Sequence, residues 1–143
     1  MKIDHVGIAV KSLADAVKVY EQAVGLTLAG YDEVDEQGVR VAMLGIGESR
    51  IELLEPTRPD SPIEKFMTKR GEGVHHIAVR GDDLEEALER LKTAGVRLID
   101  DTPKRGAHNT RIAFVHPAST HGVLMELVEH VQSVATKARK HEG

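Results

Sequence analysis

The sequence consists of two similar halves that are offset by about 70 residues. The segment HVGIAV at residues 5–10 is similar to HIAV at residues 76–79, with an offset of 71. The segment IELLE at residues 51–55 is similar to MELVE at residues 125–129, with an offset of 74. Two copies of so long a unit are typical of a pseudo-symmetric pair of modules with a shared core, and not of a solenoid. The repeat therefore predicts one domain built from two related modules.

Each half contains a strand, a helix and three further strands in that order, which predicts an α+β fold of two tandem βαβββ modules. Ser12 is predicted to cap the first helix and Gly25 to end it, and Asp82 and Gly95 do the same for the second. The predicted strands are residues 2–10, 26–34, 39–44, 50–54, 74–79, 96–99, 111–116 and 123–128. We expect module 1 over residues 1–58, a connecting helix over 61–71, module 2 over 72–130, and a tail over 131–143 that is a marginal helix or a loose segment.

Composition excludes several classes of function. The chain has 143 residues and no cysteine, which rules out disulfides, thiolate zinc sites and cysteine nucleophiles. A net charge of −4 and only 3% aromatic residues disfavour a nucleic-acid partner. No apolar run is long enough for a membrane span, and the first residues lack the apolar stretch of a signal peptide. We therefore expect a cytoplasmic protein with no membrane partner.

The repeat pairs His5 with His76 and Glu52 with Glu126. A single strand histidine, or a glutamate between apolar neighbours, is most often ordinary polarity on one side of a sheet. Four such residues in repeat register are hard to explain in that way. Two imidazoles and two carboxylates suit a divalent ion such as Co²⁺, Mn²⁺, Ni²⁺, Zn²⁺ or Fe²⁺. Strand alternation places His75 on the face opposite His76, so we expect it to have a packing or outer-sphere role.

Five segments carry a family resemblance that covers essentially residues 2–130. They are IDHVGIAV (3–10), EQGVRVAMLGIG (36–47), IELLEP (51–56), GEGVHHIAVR (71–80) and RIAFVHPASTHGVLMELVEH (111–130). With these segments the chain resembles the vicinal oxygen chelate (glyoxalase-like) superfamily and, within it, is similar to the methylmalonyl-CoA epimerases. The resemblance implies a cup-shaped, barrel-like mixed sheet around one divalent metal ion per chain, with Co²⁺ expected first and Mn²⁺, Ni²⁺ or Zn²⁺ as alternatives. It assigns His5, Glu52, His76 and Glu126 as ligands and implies a bacterial-type cytoplasmic homodimer.

The activity that the resemblance implies is the interconversion of (2R)- and (2S)-methylmalonyl-CoA. The C2 proton is removed, the metal stabilises the resulting enolate, and a proton returns from the other face. We expect Glu126 to carry out one proton transfer and Glu52, its repeat partner, to carry out the other. Some family members have a glutamate in module 1 as a proposed base, and Val41 stands at the matching position here.

The acyl-CoA substrate carries phosphates that need cationic or amide partners. Lys104, Arg105 and Arg111 cluster near one predicted loop and are candidates for this role, with ordinary solvated surface as the alternative. The turn from Ser119 to Gly122 is a candidate for backbone contacts to the substrate.

Three other functions remain open at this point. They are a glyoxalase I-type isomerase with glutathione adducts as substrates, a dioxygenase with iron on two histidines and one carboxylate, and a non-enzymatic small-molecule-binding protein.

Overall fold

The computed structural model of the chain describes residues 1–131. Module 1 contains β1 (Lys2–Ala9), α1 (Leu13–Val17), β2 (Thr27–Val34), β3 (Val39–Ile46) and β4 (Ser49–Pro56). A π-helical segment (Lys18–Ala23) continues α1, and a 3-10 turn (Asp35–Gln37) precedes β3. Module 2 contains β5 (Gly73–Arg80), α3 (Leu84–Thr93), β6 (Lys104–Arg105), β7 (Thr110–Val115) and β8 (Met125–His130), and α2 (Pro62–Arg70) connects the modules.

The eight strands of residues 1–131 form one mixed sheet in the order β2-β3-β4-β1-β5-β8-β7-β6. Within each module the last strand lies parallel to the first, because β1 pairs with β4 and β5 pairs with β8. The two first strands, β1 and β5, pair antiparallel at the centre and relate the two halves. The predicted α+β fold of two modules in one curved, cup-shaped sheet is confirmed.

The two faces of the sheet bury different parts of the core. Helix α1 packs on one face against apolar residues of β3 and β4, and α3 packs on the same face in module 2. Alternation therefore directs Ile8 and Val10 toward α1, as the sequence predicts, and Ala9 toward the inside of the cup. Helix α2 covers the inside of the cup, where Ile63 packs against Val39 and Val41.

Several predicted boundaries agree with the structure. Ser12 caps α1 by accepting a hydrogen bond from the Asp15 N–H at 3.2 Å. Helix α2 starts after Ser61 and ends before Gly71, whose φ of 77° lies in the left-handed region. None of the helices in residues 1–131 is long and apolar enough to cross a membrane. The tail prediction lies outside the described residues from 132 onward.

Two details of module 2 were predicted wrongly. The cap of α3 is Asp83 and not Asp82, because the Asp83 carboxylate accepts the Glu86 N–H at 3.0 Å. The predicted strand 96–99 is reduced to a single bridge between Leu98 and Val115. The Phe114 N–H, which a longer ladder would give to a backbone carbonyl, is donated instead to the Asp100 carboxylate at 2.8 Å.

Candidate metal centre and active site

The four residues paired by the repeat lie on the four central strands of the sheet. His5 is on β1, Glu52 on β4, His76 on β5 and Glu126 on β8, and none is more than 5% exposed. All four line one cavity of about 200 Å³ inside the cup. The repeat thus places equivalent residues on equivalent strands, and the pairing of β1 with β5 brings the two halves of the set together.

Three of the four side chains meet at one point. His5 Nε2 lies 3.0 Å from His76 Nε2. Glu126 Oε2 lies 3.0 Å from His5 Nε2 and 3.4 Å from His76 Nε2. Glu52 lies on the other side of the His5 ring, with its Oε2 at 3.3 Å from His5 Nδ1. Two clusters of potential ligand atoms therefore share His5.

The second cluster is a buried ionic network around Asp4. The Asp4 carboxylate contacts His5 Nδ1 at 2.7 Å and His130 Nε2 at 2.6 Å. Arg50 donates from Nη2 to Asp4 Oδ2 and to Glu52 Oε2, both at 3.0 Å. Arg50 therefore connects the carboxylate that holds His5 to the neighbouring carboxylate of the set.

His75 does not lie on the opposite face, contrary to the prediction from alternation. In the β1–β5 pairing, Gly7 pairs with His76 and Ile8 pairs with Val74, so His75 is an extra residue in a β-bulge. A bulge bends the strand and redirects side chains, which alternation alone does not anticipate. His75 consequently lines the cavity, with its Nδ1 at 2.9 Å from His76 Nδ1.

The local charges strongly shift the proton affinities of these groups. Burial alone would lower the pKa of His5, but the Asp4 and Glu126 carboxylates outweigh this effect and raise it to about 10. Burial would raise the pKa of Glu126, but the two imidazoles lower it to about 2. Burial, together with the neighbouring His76, lowers the pKa of His75 to about 4. Glu126 is thus ionised at neutral pH.

The residues present fit a divalent cation. In residues 1–131, Glu126 Oε2 is a buried atom with no hydrogen-bond partner, although two imidazole nitrogens face it. Asp4, Glu52 and Glu126 bring three acidic side chains into the buried site, and Arg50 contacts two of them. A metal ion at His5 Nε2 would replace the proton that His5 carries, and imidazole with carboxylate is a donor set that Co²⁺, Mn²⁺, Ni²⁺ and Zn²⁺ accept.

The remaining cavity wall is apolar on the side of module 1. It includes Val34, Val39, Val41, Leu54 and Ile63. Val41 is only 1% exposed, so its strand presents a hydrocarbon surface to the cavity. A wider recess of about 780 Å³ shares His75 and His76 with the cavity and extends outward over Arg70, His116 and Gly122.

The predicted substrate contacts are placed in different parts of the molecule. Lys104 lines the cavity, with its Nζ 3.1 Å from Asp100 Oδ1 and 5.1 Å from the centre of the Phe114 ring. Gly122 lines the outer recess.

The other three predicted contacts, Arg105, Arg111 and Ser119, are not among the residues that line either space. Arg111 is held between Glu85 and Glu129, and Arg105 Nη1 lies 3.5 Å from Glu36. Ser119 Oγ accepts the Arg97 N–H at 2.9 Å.

Three residues of the buried network were missed by the sequence reasoning. Arg50 is two residues before Glu52 and His130 is four residues after Glu126, so strand alternation could have placed both on the face of the site. Asp4 carries no such signal, because alternation places it on the face opposite His5.

The chain is similar to known proteins of one superfamily. Residues 4–114 match the model of the Glyoxalase/Bleomycin resistance protein/Dioxygenase superfamily. The mitochondrial methylmalonyl-CoA epimerase of Dictyostelium discoideum is 40% identical over 129 residues, which are 90% of this chain and 78% of that protein.

Solved structures of methylmalonyl-CoA epimerases are also similar to this chain. The methylmalonyl-CoA epimerase of Mycobacterium tuberculosis is 41% identical with a TM-score of 0.89, covering 94% of this chain and 91% of that one. A methylmalonyl-CoA epimerase in complex with methylmalonyl-CoA and NH4+ is 43% identical with a TM-score of 0.87, covering 91% and 94%. The chain therefore belongs to the glyoxalase/bleomycin resistance protein/dioxygenase superfamily and, within it, to the methylmalonyl-CoA epimerase family.

Proposed function

We propose that the chain interconverts (2R)- and (2S)-methylmalonyl-CoA by removing and returning the proton at C2. The observation that carries the proposal is the buried Glu126 carboxylate, whose Oε2 faces two imidazole nitrogens and has no hydrogen-bond partner within residues 1–131, in a cavity of about 200 Å³. The same fold in a similar protein binds methylmalonyl-CoA. A cavity of this volume suits a short branched acyl group.

We assign His5, Glu52, His76 and Glu126 as ligands of one divalent ion, with Co²⁺ as the expected metal. His5, His76 and Glu126 face one another at the Nε2 side of the His5 ring. Glu52 lies on the adjacent strand at the Nδ1 side of that ring, so its side chain would have to turn toward the other three to complete the set. When bound, such an ion supplies a Lewis acid for the negative charge that develops on the thioester oxygen.

Glu126 is the residue to which we assign proton removal from C2. Its carboxylate accepts the proton, the electron pair of the broken C–H bond forms a double bond between C2 and the thioester carbon, and the carbonyl π pair moves onto the thioester oxygen to give a planar enolate. Inversion requires that a second group return a proton from the opposite face. Glu52 is the other carboxylate among the described residues that line the cavity, and we assign this role to it.

The outer recess gives the rest of the substrate a path out of the cup. We propose that the acyl group occupies the inner cavity and that the CoA chain leaves past His75 and Gly122. Arg70 lines this recess, and Lys104 lines the cavity beneath it, so each could pair with an anionic group of the substrate. Arg105, Arg111 and Ser119 stay predictions for the outer phosphates. A cytoplasmic homodimer completes the proposal.

Hydrogen–deuterium exchange at C2 of methylmalonyl-CoA in D₂O tests this function directly. The enzyme is stripped of metal and then given Co²⁺ or Mn²⁺, and we expect exchange only with metal. Glu126→Gln should reduce exchange by roughly 10²–10⁴-fold, the usual contribution of a positioned acid or base. Glu129→Gln, on the same strand but paired with Arg111, is the matched control and should keep wild-type exchange.

Two outcomes contradict the proposal. Exchange at the wild-type rate in Glu126→Gln would remove Glu126 from proton transfer. Absence of exchange with any divalent metal, together with turnover of a glutathione hemithioacetal, would replace the epimerase with a glyoxalase-type isomerase.

A further inference from the structure

The central strand pair contains two β-bulges, and they are related by the internal repeat. On β1, Ile3 pairs with Val79 and His5 pairs with Ala78, so Asp4 is the extra residue. On β5, the extra residue is His75, as described above. Each bulge lies immediately before a histidine of the candidate metal site. The residue at the bulge would otherwise point to the opposite face of the sheet.

The first bulge places the Asp4 carboxylate beside His5 Nδ1, the ring nitrogen that does not face His76 and Glu126. The Asp4 carboxylate lies 2.7 Å from His5 Nδ1, which places the imidazole proton on Nδ1. When a metal ion displaces the proton on Nε2, the Nε2 lone pair is directed toward His76 and Glu126. Asp4 is itself fixed by Arg50 and His130, so its orientation does not depend on His5 alone.

The second bulge places the His75 imidazole beside His76 Nδ1, the ring nitrogen that does not face His5. His75 Nδ1 lies 2.9 Å from His76 Nδ1, and one of the two nitrogens must donate while the other accepts. If His76 is to offer its Nε2 lone pair to a metal, its proton lies on Nδ1 and His75 accepts it. The Phe66 ring packs edge-on against His75, with 4.9 Å between ring centres, and holds it in this position.

We propose that Asp4 and His75 are paired positioning residues, which the two bulges bring to His5 and His76 to fix their tautomers and aim both Nε2 atoms at one metal ion. This inference rests on the metal centre of the proposed function. Outer-sphere partners of this kind orient ligating histidines and increase their basicity. Asp4 is also linked to Glu52, because Arg50 donates a hydrogen bond to each of the two carboxylates.

Metal affinity measured by calorimetry on the metal-free full-length chain tests the proposal, with Co²⁺ as the probe. Asp4→Asn and His75→Leu should each weaken Co²⁺ binding by roughly 10–100-fold, the usual effect of losing such a partner. His75→Gln keeps an acceptor for the Nδ1 proton and should recover most of the affinity lost in His75→Leu. Asp32→Asn is the control, because this carboxylate accepts backbone N–H groups of Glu33 and His108 and does not line the cavity.

A second measurement separates positioning from a purely structural role. The visible absorption spectrum of bound Co²⁺ reports its ligand field, and we expect it to change in Asp4→Asn and His75→Leu but not in Asp32→Asn. If Asp4 and His75 had only a structural role, each variant would have a lower Tm than wild type by the same amount without and with Co²⁺. Its Co²⁺ affinity and its absorption spectrum would be unchanged. That result would overturn the proposal.

The test also distinguishes this inference from the proposed function. If the variants lose Co²⁺ affinity but wild-type protein catalyses no C2 exchange, the positioning role stands and the epimerase assignment fails. If wild-type exchange occurs but the variants bind Co²⁺ within about twofold of wild type, the positioning role fails and the function stands. Failure of the wild-type protein to bind any divalent ion would overturn both the positioning role and the metal centre.

Discussion

At the scale of single residues, Gly7 shows how tightly the residues of the site are packed. Gly7 pairs with His76 across the central strands, and a Cβ added at Gly7 would lie 2.2 Å from His76 Cε1. Gly7→Ala should therefore displace the imidazole, lower the free energy of unfolding by about 1–3 kcal/mol, and weaken Co²⁺ binding. Urea unfolding and calorimetry check the two effects.

Gly45→Ala is the matched control for this prediction. Gly45 lies in β3 of the same sheet, and the nearest atom to its added Cβ is Thr27 O at 3.9 Å. This variant should keep wild-type Co²⁺ affinity. If Gly7→Ala bound Co²⁺ as tightly as Gly45→Ala, the ring of His76 would not need the space above Gly7.

The same scale shows which site residues are predictable from sequence. His5 and His76, and likewise Glu52 and Glu126, are detectable because each residue has a copy at nearly the same offset. Asp4 and His75 are not detectable in this way, because their orientation depends on two bulges in the pairing of β1 with β5. Bulge positions depend on strand register across the sheet, which a local pattern does not contain.

At the scale of elements, helix α3 allows a direct test of the cap assignment. Asp83 accepts the Glu86 N–H at 3.0 Å, whereas the sequence pattern favours Asp82. Asp83→Ala should lower the free energy of unfolding by about 1 kcal/mol, because it removes the acceptor for an otherwise unpaired N–H. Asp82→Ala is the control, and in urea unfolding it should resemble wild type. Equal losses in the two variants would contradict the assignment of a single cap.

The elements that the sequence failed to predict share a physical cause. Helices and long strands follow from apolar periodicity, which is local, and most of their ends agree with the structure to within one or two residues. Residues 96–99 have strand-like composition, but the Asp100 side chain binds the Phe114 N–H that an extended ladder would use. Such competition between side chain and backbone depends on tertiary contacts.

At the scale of the whole molecule, the candidate ligands connect the two modules. His5 and Glu52 come from module 1, and His76 and Glu126 come from module 2. The site is rich in negative charge, because the acidic side chains of Asp4, Glu52 and Glu126 surround the single guanidinium of Arg50. A divalent ion would therefore compensate this charge and cross-link the modules at once, in a way that the unfolded chain cannot reproduce.

This linkage predicts that divalent metal stabilises the entire fold. With free Co²⁺ at 100-fold its dissociation constant, binding contributes about 2.7 kcal/mol to the free energy of unfolding. For a chain of this length, that corresponds to a rise in Tm of roughly 5–10 °C. Scanning calorimetry of metal-free protein, before and after addition of Co²⁺, measures the rise, and a chelator should reverse it.

In Glu126→Gln the rise should be smaller at the same Co²⁺ concentration, because one anionic ligand from module 2 is lost, whereas Glu129→Gln should match wild type. A Tm that no divalent ion changes would contradict the cross-link between the modules.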